Sequence, residues 1–186
     1  MSTVSRPLRI LCVCTYNRTR SVLAGALLDA HFRSLGIAAA VGTAGIIDGH
    51  RPPTQSTIDL LAERGLDVSN HRSRPVSEQL VTEADLIVTA EREHVVSVAG
   101  RWPQVFASTF ALPEITARAA DVGPRDGAPL DEWLSRMGEG RLRGLDYLEA
   151  TDFVDVADPT GLSEQRWAMA VARIDDLTRR LAEALR

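Results

Sequence analysis

What most constrains the fold of this chain is an alternation. Short apolar runs of strand length are separated, through most of its length, by segments whose apolar residues recur at helical spacing. The run 8–13 (LRILCV) reads as a buried strand. It is followed by a helix over 21–35, with Val22, Ala26, Leu27 and Ala30 on one face and Gly36 as its stop. Further strands are expected at 37–43, 85–89 and 104–110. Further helices are expected at 54–64, 76–83, 91–100 and 112–120, within 130–150, and over 163–186. Strands that alternate with helices form parallel βαβ units, so the chain is expected to be one α/β domain with a four-stranded parallel sheet. Ligands of such sheets bind at the carboxyl ends of the strands, which directs attention to the loop after the first one.

Composition narrows the chemistry. The 186 residues are 45% hydrophobic and 25% charged, as in an ordinary soluble domain. A net charge of -4 with no basic surplus argues against a nucleic-acid partner. Every basic residue is Arg, which removes lysine mechanisms such as Schiff bases and the Walker-type phosphate lysine. Residues 1–8 are polar and carry no leader-like apolar core, and no stretch is long enough to span a bilayer. The two cysteines, Cys12 and Cys14, stand too close to staple a fold, a pattern expected of the reducing cytoplasm. Cys12 lies within the first strand and reads as a core residue. His31, His50 and His94 show no ligand spacing, so neither a metal nor a cofactor is expected.

The loop Cys14-Thr15-Tyr16-Asn17-Arg18-Thr19-Arg20-Ser21 joins that strand to a helix start. Inward-pointing backbone N–H groups and a helix N-terminus make such a loop a cradle for a phosphate. The same surroundings favour a thiolate at Cys14. Arg20 offers a planar fork that matches two phosphoryl oxygens, and Ser21 can bond the sulfur or cap the helix. Asn17 tolerates the left-handed conformation that a tight cradle needs. Phosphate-ester hydrolysis also needs a proton for the departing oxygen. Asp158 stands out for this because Pro159 fixes the backbone after it and Gly161 keeps the loop tight. The residues alone leave Asp-Pro-Thr-Gly equally readable as the turn before the last helix.

The run 10–21 resembles the signature of the low-molecular-weight protein tyrosine phosphatases. The likeness continues through Thr43-Ala44-Gly45, the stretch 69–74 (SNHRSR), the stretch 84–88 (ADLIV) and Asp158-Pro159. It implies a three-layer, flavodoxin-like, doubly wound fold of order 2-1-3-4 spanning 1–186, without a metal. It also implies a cysteine-dependent phosphatase that hydrolyses phosphomonoesters, protein phosphotyrosine foremost, through a cysteinyl phosphate. Its substrate is then a phosphorylated protein or a small phosphomonoester, with no nucleic-acid or membrane partner. In that likeness Cys14, Arg20 and Asp158 are catalytic, and residues 15–21 hold the phosphate. Thr43 and His71 brace Asn17.

The sequence departs from the family around the pocket. Tyr16 stands where a glycine is usual, and Arg18 where a small or aliphatic residue is usual. Arg18 either attracts a second anionic group or points to solvent. Thr160 and Gly161 replace aromatics after Asp158-Pro159, and the loop 46–50 lacks an aromatic and is short. Three other chemistries fit a cradle of this kind. An arsenate reductase needs resolving cysteines that this chain lacks, unless a glutaredoxin serves. A phosphoryl carrier has little use for Arg20 and Asp158. A phosphate-binding regulatory module would keep the cradle and lose turnover.

Overall fold

The structure, a computed structural model, describes residues 6–47 and 49–186. The reading of residues 1–5 as polar leaderless chain, and the Asp48 part of the 46–50 loop, fall outside it. Strands β1 (Leu8–Cys14), β2 (Ala39–Gly45), β3 (Leu86–Thr89) and β4 (Thr109–Ala111) form one sheet in the order β2-β1-β3-β4. All three pairings are parallel, as βαβ crossovers require. The doubly wound order expected from the sequence is therefore the one observed.

Eight helices connect and cover these strands among the described residues: α1 (Arg20–Ser34), α2 (Gln55–Glu63), α3 (Glu78–Glu83), α4 (Arg92–Arg101), α5 (Leu112–Val122), α6 (Leu130–Met137), α7 (Gly144–Glu149) and α8 (Glu164–Ala184). Side chains alternate across a strand, so β1 splits its residues between two cores. Ile10, Cys12 and Cys14 pack with Leu23 and Leu28 of α1, Ile115 of α5 and Ile174 and Leu181 of α8. Leu11 and Val13 pack on the other face with Val81 of α3, Val98 of α4 and Val105. Cys12 is a core residue as expected; burial, with the neighbouring Cys14 charge, pushes its thiol up to about 12.

Three expectations need correction. The strand expected at 104–110 is a 3-10 turn, Pro103–Ser108, followed by a strand of only three residues. Pro103 at the turn's start fixes helical φ and gives no N–H to a ladder. The Ser108 and Thr109 hydroxyls then bond the Val105 carbonyl and close the turn. The region 130–150 holds two short helices, α6 and α7, separated where Gly140 takes a φ of 67°. The second strand runs two residues further along than expected. That shift sets Gly45 level with Cys14, beneath the cradle.

No helix of the described residues is long and apolar enough to cross a membrane.

Candidate active site

Cys14 is the last residue of β1 and is buried. Six residues later α1 begins at Arg20, so the intervening loop curls over the end of the sheet and presents a helix N-terminus. The Cys14 Sγ and Ser21 Oγ lie 3.1 Å apart, which gives the sulfur a hydrogen-bonding hydroxyl. The loop turns at Asn17, fully buried with a φ of 52°, a conformation that Asn tolerates better than most residues. Three bonds hold Asn17 there. Its Nδ2 donates to Ser21 Oγ at 3.0 Å, its Oδ1 accepts from the Arg74 amide at 3.2 Å, and its carbonyl accepts from His71 Nε2 at 3.0 Å. Partial burial pushes His71 down, with the Arg74 and Arg72 charges adding to it and the Asn17 bond opposing, so the imidazole is a neutral donor.

Gly45 permits the loop to lie this low. A Cβ at that position would sit 3.0 Å from the backbone of Thr15, Tyr16 and Asn17. The loop is further tied to β2 and its continuation by Ile46 N–H to the Cys14 carbonyl and Ile47 N–H to that of Thr15.

Arg20 projects from the first turn of α1 and is buried to 3% exposure. Its Nη1 meets Glu91 Oε2 at 2.8 Å and the Val156 carbonyl at 3.1 Å. Its Nη2 meets Thr15 Oγ1 at 3.1 Å and Asp158 Oδ2 at 3.3 Å. The Nε–H, equally buried, has no protein partner. A buried charged donor left without an acceptor is costly and calls for a specific reason, such as a catalytic role, a bound anion or an ordered water.

Asp158 lies in the same cleft, where its Oδ1 accepts from the Thr160 amide at 3.0 Å. Partial burial works to raise its carboxyl. The Thr160 amide and hydroxyl, the Arg20 guanidinium and His94 outweigh that and hold it below the usual carboxylate range.

Of the residues singled out from sequence, the structure brings Cys14, Thr15, Asn17, Arg20, Ser21, His71 and Asp158 into one linked cluster. Tyr16, Arg18 and Thr19 line the mouth of a cleft of about 440 Å3 above it. Thr19 Oγ1 meets Thr54 Oγ1 at 3.3 Å and Thr160 Oγ1 at 3.4 Å, joining the cradle to the Asp158 loop. Thr43 is a correction, because it does not bond Asn17. It is in register with Cys12, below the strand tip, and its Cγ2 faces α1 so closely that a Cβ at Gly25 would lie 2.6 Å from it. The Arg74 amide bonds Asn17 instead.

Glu91 and His94 were missed. His94 is buried, its Nε2 lies 3.0 Å from Thr15 Oγ1 and 3.5 Å from Glu91 Oε2, and burial together with the Arg20 charge pushes it down to about 4. Glu91 stands just past the carboxyl end of β3, the edge where ligands bind, and His94 follows three residues on. Position on that edge was the available signal; metal-ligand spacing was the wrong test for His94.

The cradle, its buried arginine and a facing carboxyl agree with what the chain is similar to. The model of the family described as low molecular weight phosphotyrosine protein phosphatase matches residues 9–120. A relative from Ralstonia nicotianae, named "Probable low molecular weight protein-tyrosine-phosphatase EpsP", is 32% identical over 106 residues, 57% of this chain and 71% of the relative. A protein-arginine-phosphatase of Bacillus subtilis is 29% identical over 124 residues, 66% of this chain and 82% of that one. The crystal structure of a low molecular weight protein tyrosine phosphatase from T. tengcongensis superposes with a TM-score of 0.71 at 24% identity, covering 96% of this chain and 99% of the other, and so shows the shared fold. With more than half its length matched to the family model, the chain belongs to the low molecular weight phosphotyrosine protein phosphatases, a family of cysteine-dependent phosphatases.

Proposed function

We propose that the protein hydrolyses phosphotyrosine on proteins in two steps, with Cys14 as nucleophile, Arg20 as phosphate clamp and Asp158 as proton donor and acceptor. The observation that carries this reading is the Arg20 fork. One guanidinium is shared between Thr15, next to the nucleophile, and Asp158, 138 residues further along the chain, while its Nε–H is kept unpaired.

In the first step the Cys14 thiolate attacks phosphorus and the bond to the tyrosyl oxygen breaks, that oxygen taking the Asp158 proton as it leaves. Ser21 Oγ, held by Asn17, steadies the sulfur before attack and as it departs. Backbone amides at the start of α1 and the Arg20 fork stabilise the equatorial oxygens. A phosphate dianion beside Asp158 favours the protonated carboxyl that this step needs. In the second step water attacks the phosphocysteine while Asp158, now a carboxylate, takes its proton. The P–S bond breaks, releasing inorganic phosphate and the thiolate.

Tyr16 and Ile47 line the cleft and offer apolar surface for an aromatic ring. Arg18 and Arg51 line it as well and oppose the cationic group of a phosphoarginine. Two free, buried cysteines and no disulfide among the described residues suit a reducing cytoplasm.

The test is hydrolysis of p-nitrophenyl phosphate and of matched phosphotyrosine and phosphoarginine peptides at mildly acidic to neutral pH. Wild-type turnover should decline as pH rises and Asp158 loses its proton. Cys14→Ser should abolish it, and Asp158→Ala should slow it by about 100-fold or more. A phosphoarginine peptide turned over faster than the phosphotyrosine peptide would overturn the substrate assignment. Full activity in Cys14→Ser would overturn the mechanism.

A further inference from the structure

Two arginines on the cleft wall have no part in the chemistry above. Arg18 sits on the cradle and Arg51 on the segment that follows β2, and both line the cleft that holds Cys14 and Asp158. Arg20 is neutralised by Glu91 and Asp158. Arg18 and Arg51 differ from it, since no carboxylate of the described residues lies within 4.0 Å of either guanidinium among the ion pairs found. The protein as a whole carries a net charge of -4, so a pair of cations in one cleft that no carboxylate of the described residues pairs with is a local feature and not a reflection of general basicity.

Both side chains rise from fixed backbone. Arg18 Nε donates to the Pro52 carbonyl at 2.8 Å, and its own carbonyl accepts from the Thr54 amide at 3.1 Å. The cradle is thereby zipped to the segment that begins at Arg51. Arg51 is clamped in turn by Ser73, whose Oγ accepts from the Arg51 amide and whose amide donates to the Arg51 carbonyl, each at 2.8 Å. Pinning Nε of Arg18 leaves its two terminal nitrogens to act as donors, and a fork held at its base matches a carboxylate with little further ordering.

We propose that Arg18 and Arg51 form an anion subsite that reads an acidic residue adjacent to the phosphorylated side chain, making the preferred substrate an acidic phosphotyrosine peptide. This rests on the phosphotyrosine reading given above and specifies its sequence context. At about 440 Å3 the cleft has the size of a site for a whole side chain and more, not for a phosphate alone. Tyr16 is 53% exposed at the same mouth, where it can lie along a bound peptide's backbone. Opposite charge at the rim also speeds encounter, so the effect should appear in kcat/KM and weaken with salt.

The experiment compares two phosphotyrosine peptides that differ only in having Glu or Gln on each side of the phosphotyrosine. The readout is the ratio of their kcat/KM values within each protein, so any general loss of activity in a variant cancels. For wild type at low ionic strength the Glu peptide should be favoured about tenfold, the size of one good charge-assisted contact. In Arg51→Gln and in Arg18→Gln the ratio should fall to a few-fold, and in the double variant to about one. A wild-type ratio near one, with both peptides turned over, overturns the subsite and leaves the phosphatase reading standing. A ratio retained in the double variant overturns the assignment to these arginines. A small aryl phosphate bearing a carboxylate, if it outcompetes the Glu peptide, overturns the peptide in favour of a metabolite. Failure of wild type to hydrolyse p-nitrophenyl phosphate and both peptides overturns the phosphatase reading itself, and the subsite with it.

Discussion

Asn17 bears more of the cradle's shape than any other side chain, because it solves two problems at once. The loop must pass through φ 52° to turn back over the sheet, and the sulfur's hydroxyl partner must be oriented. Glycine would solve the first problem and not the second. Asn17→Gly should therefore cost about 2 kcal/mol, from the loss of two buried side-chain hydrogen bonds. Asn17→Ala should cost about 1 kcal/mol beyond that, for a Cβ held in left-handed backbone. Urea unfolding of both variants measures the difference directly. Equal stabilities would show that the loop relaxes out of the left-handed region when the side chain goes. At this scale the sequence was readable, because the demands on Asn17, Cys14, Arg20 and Ser21 are local. Each follows from a strand end, a short loop and a helix start. Thr43 was misassigned because the register of β2, which decides what a strand residue can reach, is not a local property.

The elements show where local reading stops. Residues 152–156 run as a strap across the site, and α4 holds them through its first residue. Arg92 Nη2 bonds Asp152 Oδ1 and the Phe153 carbonyl, each at 2.9 Å. Its amide bonds Asp155 Oδ1 at 3.1 Å, and its guanidinium lies 3.5 Å over the Phe153 ring. The strap ends with Val156, whose amide bonds the Ala90 carbonyl and whose own carbonyl meets Arg20. Asp158 comes two residues later. The sequence offered no sign of this strap, since it lies in the chain between α7 and α8 and its partners are some 60 residues upstream. It exists only because β3 lies beside β1, which brings the start of α4 to the cradle's edge. Loosening the strap should misplace the proton donor while leaving the nucleophile in position. Arg92→Met should therefore slow hydrolysis of an alkyl phosphate, whose leaving group needs the proton most, about tenfold more than that of p-nitrophenyl phosphate, whose better leaving group needs it less. Rates across a series of leaving groups supply the check. An equal loss for every ester would mean that Arg92 only supports the fold.

For the molecule as a whole, the site's chemistry and its stability pull against each other in acid. His94 packs against Thr15 and Glu91 and feels the charges of Arg20 and Asp158. It titrates at about 4 when folded, against 6.5 in the unfolded chain. Between those values the unfolded state binds the proton and the folded state does not, so stability falls as pH is lowered through that range. The full difference of about 2.5 pH units amounts to about 3 kcal/mol, of which about 2 should be lost between neutral pH and about pH 5. His71, pushed down by burial, adds a loss of the same sign. Asp158 and Asp175, both held low, contribute theirs only in stronger acid, below the ordinary carboxylate range. Urea midpoints at neutral pH and at about pH 5 test the assignment. His94→Gln should remove most of the wild-type loss over that interval, whatever its effect at neutral pH. A wild-type midpoint that does not move, or a variant that loses as much as wild type, would show that His94 is not held neutral beside the cradle. Turnover needs a protonated Asp158, which the phosphate dianion favours once substrate is bound, and so gains from acid over the same interval in which the fold weakens. The usable pH window is then bounded above by one carboxyl at the site and below by one imidazole bonded to it through Thr15 and Arg20.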